Sequence, residues 1–299
     1  MATFKQKQQQ QTQIGIGIFI LLISLGTLAY VYMPQGDVKR DKETNCPLDG
    51  PDSYTAIIID RSEGFPKNQV QQIRNMFGSW AIGKPNDILE SQDVNDVNKF
   101  YTRAFGANTM IQLYVMSEDQ LQSDDGLKPE ISVCRGVIPD EVTSSQGIVM
   151  NKKLLAKKVQ ELANVIDTKL TDLLVPYEQE TSPIIETINA LSASTAFSKN
   201  MDKPHHLIMV SDMVQYQKTG SKYSHYPKYG NYTLDYEEWD AKYRNTFGSI
   251  PGLEWRVIYL QRNFDPDFDG TQTREHQIFW EDFFQKAMFA KNPGFFIVK

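Results

Sequence analysis

Short runs of consecutive apolar residues alternate along the chain with longer segments of helical periodicity. The first run, 55–59, is rich in β-branched side chains and ends at Asp60. A run of this kind is typical of a strand buried on both faces in a parallel sheet. Similar runs follow at 110–116, 207–210 and 253–260, and together they predict four strands of one sheet.

Apolar residues spaced for one helix face fill the intervals between these runs. They predict amphipathic helices over about 66–77, 94–105, 151–174, 236–247 and 273–290. Ser182 opens a further helix, in which Pro183 suits the first turn. The alternation predicts an α/β fold with a doubly wound, mostly parallel sheet flanked by helices. Two excursions interrupt this alternation, one at about 117–150 that is expected to contain short strands and one at about 215–250. Residues 295–298 are expected to add an edge strand.

The segment 14–33 carries no charge and ends with the interfacial residues Tyr30 and Tyr32. About 20 apolar residues suffice to cross a bilayer as a helix. The alternative is a cleaved signal peptide, whose apolar core would span about 7 to 15 residues and end in small residues. The end of this segment, 28–33, offers no such cleavage site. We therefore expect an uncleaved transmembrane helix.

This helix divides the chain into regions of different composition. Residues 1–13 are polar, with a glutamine run, and are predicted to be a disordered cytoplasmic tail. Residues 34–52 are rich in charge, proline and glycine, as is typical of a linker. The remainder, 53–299, has enough apolar content for one large domain.

The positive charges that flank the helix and the two cysteines both bear on its orientation in the membrane. Positive residues are more numerous just after the helix than before it, so their count does not favour a cytoplasmic N-terminus. Cys46 and Cys134 favour a domain outside the cytosol and therefore a cytoplasmic N-terminus, because an even number of cysteines outside the cytosol commonly forms disulfides. Two unpaired thiols in a cytosolic domain are the alternative. We expect the domain to lie outside the cytosol.

The overall charge limits the classes of partner. The net charge is −6 and no basic stripe is present, which argues against nucleic acid as the main partner. The densest group of cations consists of Lys152, Lys153, Lys157 and Lys158, and on a helix it is predicted to form a solvated face.

The first strand ends in Asp60-Arg61-Ser62-Glu63-Gly64, at the strand end where open α/β sheets place their ligands. This loop resembles the first metal-site loop of a von Willebrand factor A (vWA) domain, Asp-x-Ser-x-Ser, with Gly64 in the third place. The family also has a Thr or Ser ahead of a helix, which Ser182 matches. A later strand of the family usually ends in Thr-Asp-Gly, and Ser211-Asp212-Met213 stands there in this chain.

The resemblance implies a site for Mg2+, with Mn2+ or Ca2+ as substitutes, whose shell is completed by a carboxylate of a protein partner. Asp60 and Ser62 would be direct or water-mediated ligands, Ser182 a hydroxyl ligand and Asp212 a water-mediated carboxylate. Such hard oxygen ligands suit Mg2+. Gly64 supplies no side-chain oxygen, which weakens the site. The alternative is that Asp60 and Asp212 cap adjacent helices and pair with loop amides.

Other chemical motifs are incomplete. The sequence 265–270 matches the opening of a calcium loop, but His276 stands where the bidentate glutamate belongs, and a polar turn is the expected structure. His205 and His206 have no cysteine nearby to suggest a transition-metal site. A phosphohydrolase with Asp60 as nucleophile would be expected to carry a second Asp at position 62. We therefore do not expect an enzyme.

The excursion after Asp212 is rich in tyrosine, a residue enriched at protein interfaces. We expect it to bind a partner, although packing over the sheet edge is the alternative. Its candidate residues are Tyr216, Tyr223, Tyr226, Tyr229 and Tyr232. These features together suggest a membrane-anchored protein-binding module. From the overall character of the chain we expect a bacterial inner membrane, with a periplasmic domain that belongs to an envelope assembly. The alternatives are a structural subunit with an inert pocket and an Asp-dependent phosphohydrolase.

Overall fold

The computed structural model describes most of the predicted domain and part of the predicted linker. The described residues are 39–62, 64–83, 94–122, 126–138, 152–175, 181–217, 235–243, 247–261, 274–291 and 294–298. The predicted tail and transmembrane helix lie outside them. Within the described ranges, no helix is long and apolar enough to cross a membrane.

The strands in the described part of the chain form two sheets. In chain order they are β1 (Ser53–Asp60), β2 (Thr109–Met116), β3 (Ile131–Cys134), β4 (Thr181–Ser182), β5 (His205–Ser211), β6 (Tyr216–Gln217), β7 (Glu254–Leu260) and β8 (Phe295–Val298). The larger sheet has six strands in the order β3-β2-β1-β5-β7-β8, and β4 pairs with β6. In the larger sheet only β3 runs antiparallel to its neighbour. The prediction of an α/β fold with a mostly parallel sheet is confirmed.

Helices connect these strands. They are α1 (Lys67–Ala81), α2 (Val94–Ala104), α3 (Glu118–Leu121), α4 (Lys152–Leu173), α5 (Ile184–Ala193), α6 (Thr195–Ser198), α7 (Tyr236–Tyr243) and α8 (Arg274–Asp282). A π-helical turn, Phe283–Ala287, continues α8. The predicted helices are therefore present, and the predicted final helix ends in a π turn rather than running regularly to residue 290.

The sheet is covered on both faces because successive side chains of a strand point in opposite directions. Ile57 and Ile59 of β1 belong to one apolar cluster, together with side chains of α1, α2 and α4. Ala56 and Ile58 belong to the other, together with side chains of α5, α7 and α8. Because both faces are covered, the run 55–59 is apolar except for Thr55. The Thr55 hydroxyl donates to the Ala104 carbonyl oxygen.

The end of the predicted linker packs on the domain from residue 39 onwards. The predicted disulfide joins Cys46 to Cys134, at the last residue of β3. The Cys134 amide donates to the Thr44 carbonyl oxygen at 2.7 Å. Arg40 donates to the Asn108 side-chain oxygen at 2.7 Å, just ahead of β2. These contacts place the entering chain at the end of the sheet where β1 and β2 begin.

Candidate functional site

Two neighbouring strands bring polar side chains together where they end. Asp60 is the last residue of β1, and Ser211 is the last residue of β5. The strands are parallel, with Ile59 opposite Val210, so Asp60 and Ser211 lie at the same edge of the sheet. The strand order also reverses between β1 and β5, since the chain moves outwards from β1 in both directions. Crevices at such reversal points are where open α/β sheets bind ligands.

The Asp60 carboxylate is surrounded by hydroxyl groups. Its Oδ1 accepts hydrogen bonds from the Ser62 amide at 3.0 Å and from Ser62 Oγ at 2.7 Å. Its Oδ2 accepts from Ser182 Oγ at 2.9 Å and from Ser211 Oγ at 2.8 Å. All four residues are buried, and Asp60 is 4% exposed. The structure therefore brings together three of the four predicted metal-site residues and adds Ser211.

The fourth predicted residue, Asp212, lies next to Ser211 in the turn that follows β5. Asp212 is 2% exposed, and its Oδ1 accepts from the Val214 amide at 2.9 Å. Ser211 Oγ accepts from the Met213 amide at 2.8 Å. Met213 has a φ of 61°, in the left-handed region that residues with a side chain rarely adopt. The turn thus bends sharply, and its side chains fold back onto its own amides.

Ser182 is positioned by the small second sheet. It pairs with Tyr216, so β4 and β6 tie the segment before α5 to the segment after β5. Gln215 reinforces this link, because its Oε1 accepts from the Ile185 amide at 2.9 Å and its Nε2 donates to Glu186 at 3.0 Å. Gln215 therefore satisfies an amide in the first turn of α5.

Two further carboxylates lie beside the candidate site. Burial raises the pKa of Glu186, and the charge of Glu118 contributes in the same direction. Glu118 in turn accepts from Thr181 Oγ1 at 3.3 Å, and Thr181 directly precedes Ser182. Acidic side chains thus lie next to the segment that carries Ser182, in addition to the hydroxyl groups around Asp60.

The donor set fits a small hard cation better than a transition metal. Each hydroxyl that donates its proton to Asp60 keeps oxygen lone pairs that can face a metal ion. Oxygen ligands with room for water suit Mg2+. Among the described residues, no group of three or more His, Cys, Asp or Glu that could hold a metal is found. The side-chain oxygens gathered at the site are those of Asp60, Ser62, Ser182 and Ser211.

Sequence reasoning missed Ser211 and Gln215 as members of the site. Ser211 had a usable signal, because it ends a buried strand next to Asp212, and neighbouring parallel strands end at the same edge. Gln215 had none, since its role depends on the later pairing of β4 with β6.

The other candidates lie elsewhere. His205 and His206 are buried opposite Tyr54 and Thr55, at the start of β1. Burial lowers the pKa of His206 to about 4. Tyr216 lies in β6, whereas Tyr223, Tyr226, Tyr229, Tyr232 and the calcium-like loop 265–270 lie outside the described residues.

The described geometry thus defines an α/β protein with a carboxylate and three hydroxyls at the reversal point of a six-stranded, mostly parallel sheet. A scan against models of known protein families gives no match for this chain, and a search among curated proteins gives none either.

Proposed function

We propose that the chain is a single-pass membrane protein whose vWA-like domain binds a partner protein through the Asp60 site. The observation that carries this proposal is the buried Asp60 carboxylate, which accepts from Ser62, Ser182 and Ser211 at the reversal point of the sheet. The mostly parallel sheet and the position of the site at its strand ends support a vWA-like domain, because the resemblance of the Asp60, Ser182 and Asp212 motifs implies both.

A divalent cation assists the binding. Ser62 and Ser182 would hold Mg2+ through their hydroxyl oxygens, Ser211 extends this set, and Asp60 and Asp212 balance its charge. Mn2+ or Ca2+ would substitute for it. The bound ion supplies a positive charge for a carboxylate of the partner. The residues of this chain supply the rigid oxygen frame that fixes where this carboxylate binds.

The membrane anchor and the compartment belong to the same proposal. The uncharged segment 14–33 is long enough for a transmembrane helix. The Cys46–Cys134 disulfide supports an oxidising compartment, because such bonds are rare in the cytosol. We place the domain in the periplasm of a bacterium, as a component of an envelope assembly at the inner membrane.

The cation is tested by thermal unfolding of the full chain in detergent micelles, titrated with Mg2+ and then Mn2+. A ligand that binds only the folded state at 100 times its Kd stabilises by about 2.7 kcal/mol, which raises Tm by roughly 5 to 10 °C. The rise should disappear in Asp60→Ala. It should persist in Asp49→Asn, which changes an exposed carboxylate ahead of β1. No rise with either ion in the wild-type chain would overturn cation binding.

Partner binding is tested separately by photo-crosslinking in cells. A photoreactive residue at the exposed position Lys67, at the start of α1, lies on the side of the domain where β1 ends. We expect crosslinked partners from this position in the wild type and their loss in the Asp60→Ala, Asp212→Ala double variant. Crosslinks that are unchanged in the double variant would count against recognition through Asp60.

A structural subunit with an inert pocket is the second candidate. One observation favours it: the hydrogen bonds to Asp60 from its own chain already involve both carboxylate oxygens. In that case assembly would use the region 215–250, and the same photoreactive residue at the exposed Glu237 of α7 would crosslink partners whether or not Asp60 is present.

A further inference from the structure

The backbone carbonyl of Met213 is held by two side chains of α8. His276 Nε2 lies 2.8 Å from the Met213 oxygen, and Trp280 Nε1 donates to the same oxygen at 2.9 Å. Both side chains are fully buried, with exposed fractions of 0%. A helix distant in sequence therefore contacts the turn that carries Ser211 and Asp212.

The contacts of His276 fix its tautomer. A carbonyl oxygen can only accept, so the His276 Nε2 facing Met213 carries the proton. Its Nδ1 is then an acceptor, and the Tyr259 hydroxyl donates to it at 2.9 Å. Burial lowers the pKa of His276 to about 4, so the ring is neutral at physiological pH. The order of donation is Tyr259 to His276 to Met213.

Met213 connects this chain of hydrogen bonds to the candidate site. Its carbonyl is bound by α8, and its amide donates to Ser211 Oγ, which donates to Asp60. The residue also has a positive φ, a conformation that persists only when the surrounding structure enforces it. The two donors on its carbonyl supply that enforcement.

We infer that His276, Tyr259 and Trp280 are positioning residues for the Asp60 site. They hold Met213 in the left-handed conformation that directs the Ser211 hydroxyl to Asp60, and so they set the affinity of the site for its cation. This inference rests on the proposed function, because it concerns cation binding at the same residues. None of the three is proposed as a ligand of the cation.

The test compares variants of the full chain in detergent micelles. His276→Leu removes the donor to Met213, whereas His276→Gln retains an amide N–H that can reach the same carbonyl. Trp255→Phe is the matched control, because Trp255 is buried in the same apolar cluster as Trp280 and packs on Phe284 and Phe295. Apparent Mg2+ affinity is measured from the Tm shift, and hydrogen exchange of the Met213 amide is measured by NMR without the ion.

We expect His276→Leu to weaken Mg2+ binding about tenfold or more, the size of effect typical of residues that orient metal ligands. His276→Gln should recover most of this affinity, and Trp255→Phe should retain it even though its Tm is lower. Equal affinity in His276→Leu and Trp255→Phe would overturn the positioning role alone. If Mg2+ does not raise the Tm of the wild-type chain, the cation proposal fails. The exchange measurement still decides the positioning role in that case. Faster exchange of the Met213 amide in His276→Leu than in the control supports that role, and equal exchange overturns it.

Discussion

Ser211 donates its hydroxyl proton to Asp60 Oδ2 at 2.8 Å, across two strands that are 151 residues apart in sequence at this point. Ser182 donates to the same oxygen at 2.9 Å from a third segment. One buried carboxylate therefore joins β1, β4 and β5. The site is consequently part of what holds the carboxyl ends of these strands together, and its residues should matter for stability even without a ligand.

A double-mutant cycle measures the coupling free energy between Asp60 and Ser211. Ser211→Ala and Asp60→Asn should each lower the free energy of unfolding by about 1 to 3 kcal/mol, since each leaves a buried polar group with a missing partner. The double variant should lose clearly less than the sum, because both changes remove the same hydrogen bond. Denaturant unfolding of the purified chain measures all three values.

A control cycle uses Ser53 in place of Ser211. Ser53 is a buried residue at the other end of the sheet, and its hydroxyl is hydrogen-bonded to that of Thr109 at 2.7 Å. Ser53→Ala and Asp60→Asn share no partner, so their effects should add. Additive effects of Ser211→Ala and Asp60→Asn would show that the hydrogen bond contributes no coupling.

Much of the fold was accessible from the sequence because burial on both faces leaves a strong pattern. The run 55–59 is apolar on both faces since helices cover both, and the long stripe of 151–174 marks α4. The exact position of the antiparallel β3 was not accessible, because three of its four residues are partly exposed and the strand gives only a short pattern. β3 lies in the excursion at 117–150, where short strands are predicted.

The candidate site was only partly accessible. Asp60 and Ser62 are close in sequence, and the parallel sheet brings Asp212 to the same edge. The contacts of His276 were not accessible, because the sequence pattern places this residue only at the last position of an incomplete calcium loop. Its actual partners, Tyr259 and the Met213 carbonyl, belong to two other segments, and backbone groups leave no sequence signal.

Glu186 is predicted to cost stability at neutral pH. Burial raises its pKa, and the charge of Glu118 adds to the shift. A carboxyl with a raised folded-state pKa contributes stability below its unfolded pKa and loses that contribution as pH rises. Glu186→Gln should therefore unfold at a higher denaturant concentration than the wild type at pH 7, and the difference should vanish near pH 4.

The control for this variant is Glu237→Gln, which changes an exposed glutamate in the first turn of α7. It should show no comparable gain at pH 7. A Glu186→Gln chain that is less stable than the wild type at both pH values would show that the hydrogen bond from Gln215 outweighs the cost of burial.

The disulfide is predicted to stabilise the domain without affecting the cation site. Cys46 and Cys134 are 88 residues apart. Cross-linking a loop of this length destabilises the unfolded chain by about 4.6 kcal/mol at most. Reductant should lower Tm, and a Cys46→Ser, Cys134→Ser chain should start at the lower Tm and no longer respond to reductant. The Mg2+ dependence of Tm should survive in both, because the bond lies at the opposite end of the sheet. Loss of that dependence on reduction would contradict this separation.

Two buried histidines are predicted to make the domain sensitive to acid. Burial lowers the pKa of both His206 and His276 to about 4, against an ordinary value of 6.5. For His206 the nearby charge of Glu254 opposes the shift, while Arg103 and His205 contribute to it. Because the unfolded chain binds these protons more readily, stability is complete above about pH 6.5 and is lost as pH falls towards 4.

Between pH 7 and pH 5 each histidine should cost about 2 kcal/mol of unfolding free energy. Denaturant unfolding at several pH values measures how much unfolding free energy is lost between pH 7 and pH 5. In His206→Gln and in His276→Gln this loss should be about 2 kcal/mol smaller than in the wild type. The comparison is between slopes against pH, so the change that each substitution makes at pH 7 does not enter. Parallel slopes in wild type and variants would mean that the imidazoles accept protons inside the folded domain, and the burial that lowers their pKa values would then be offset by water or by rearrangement of the core.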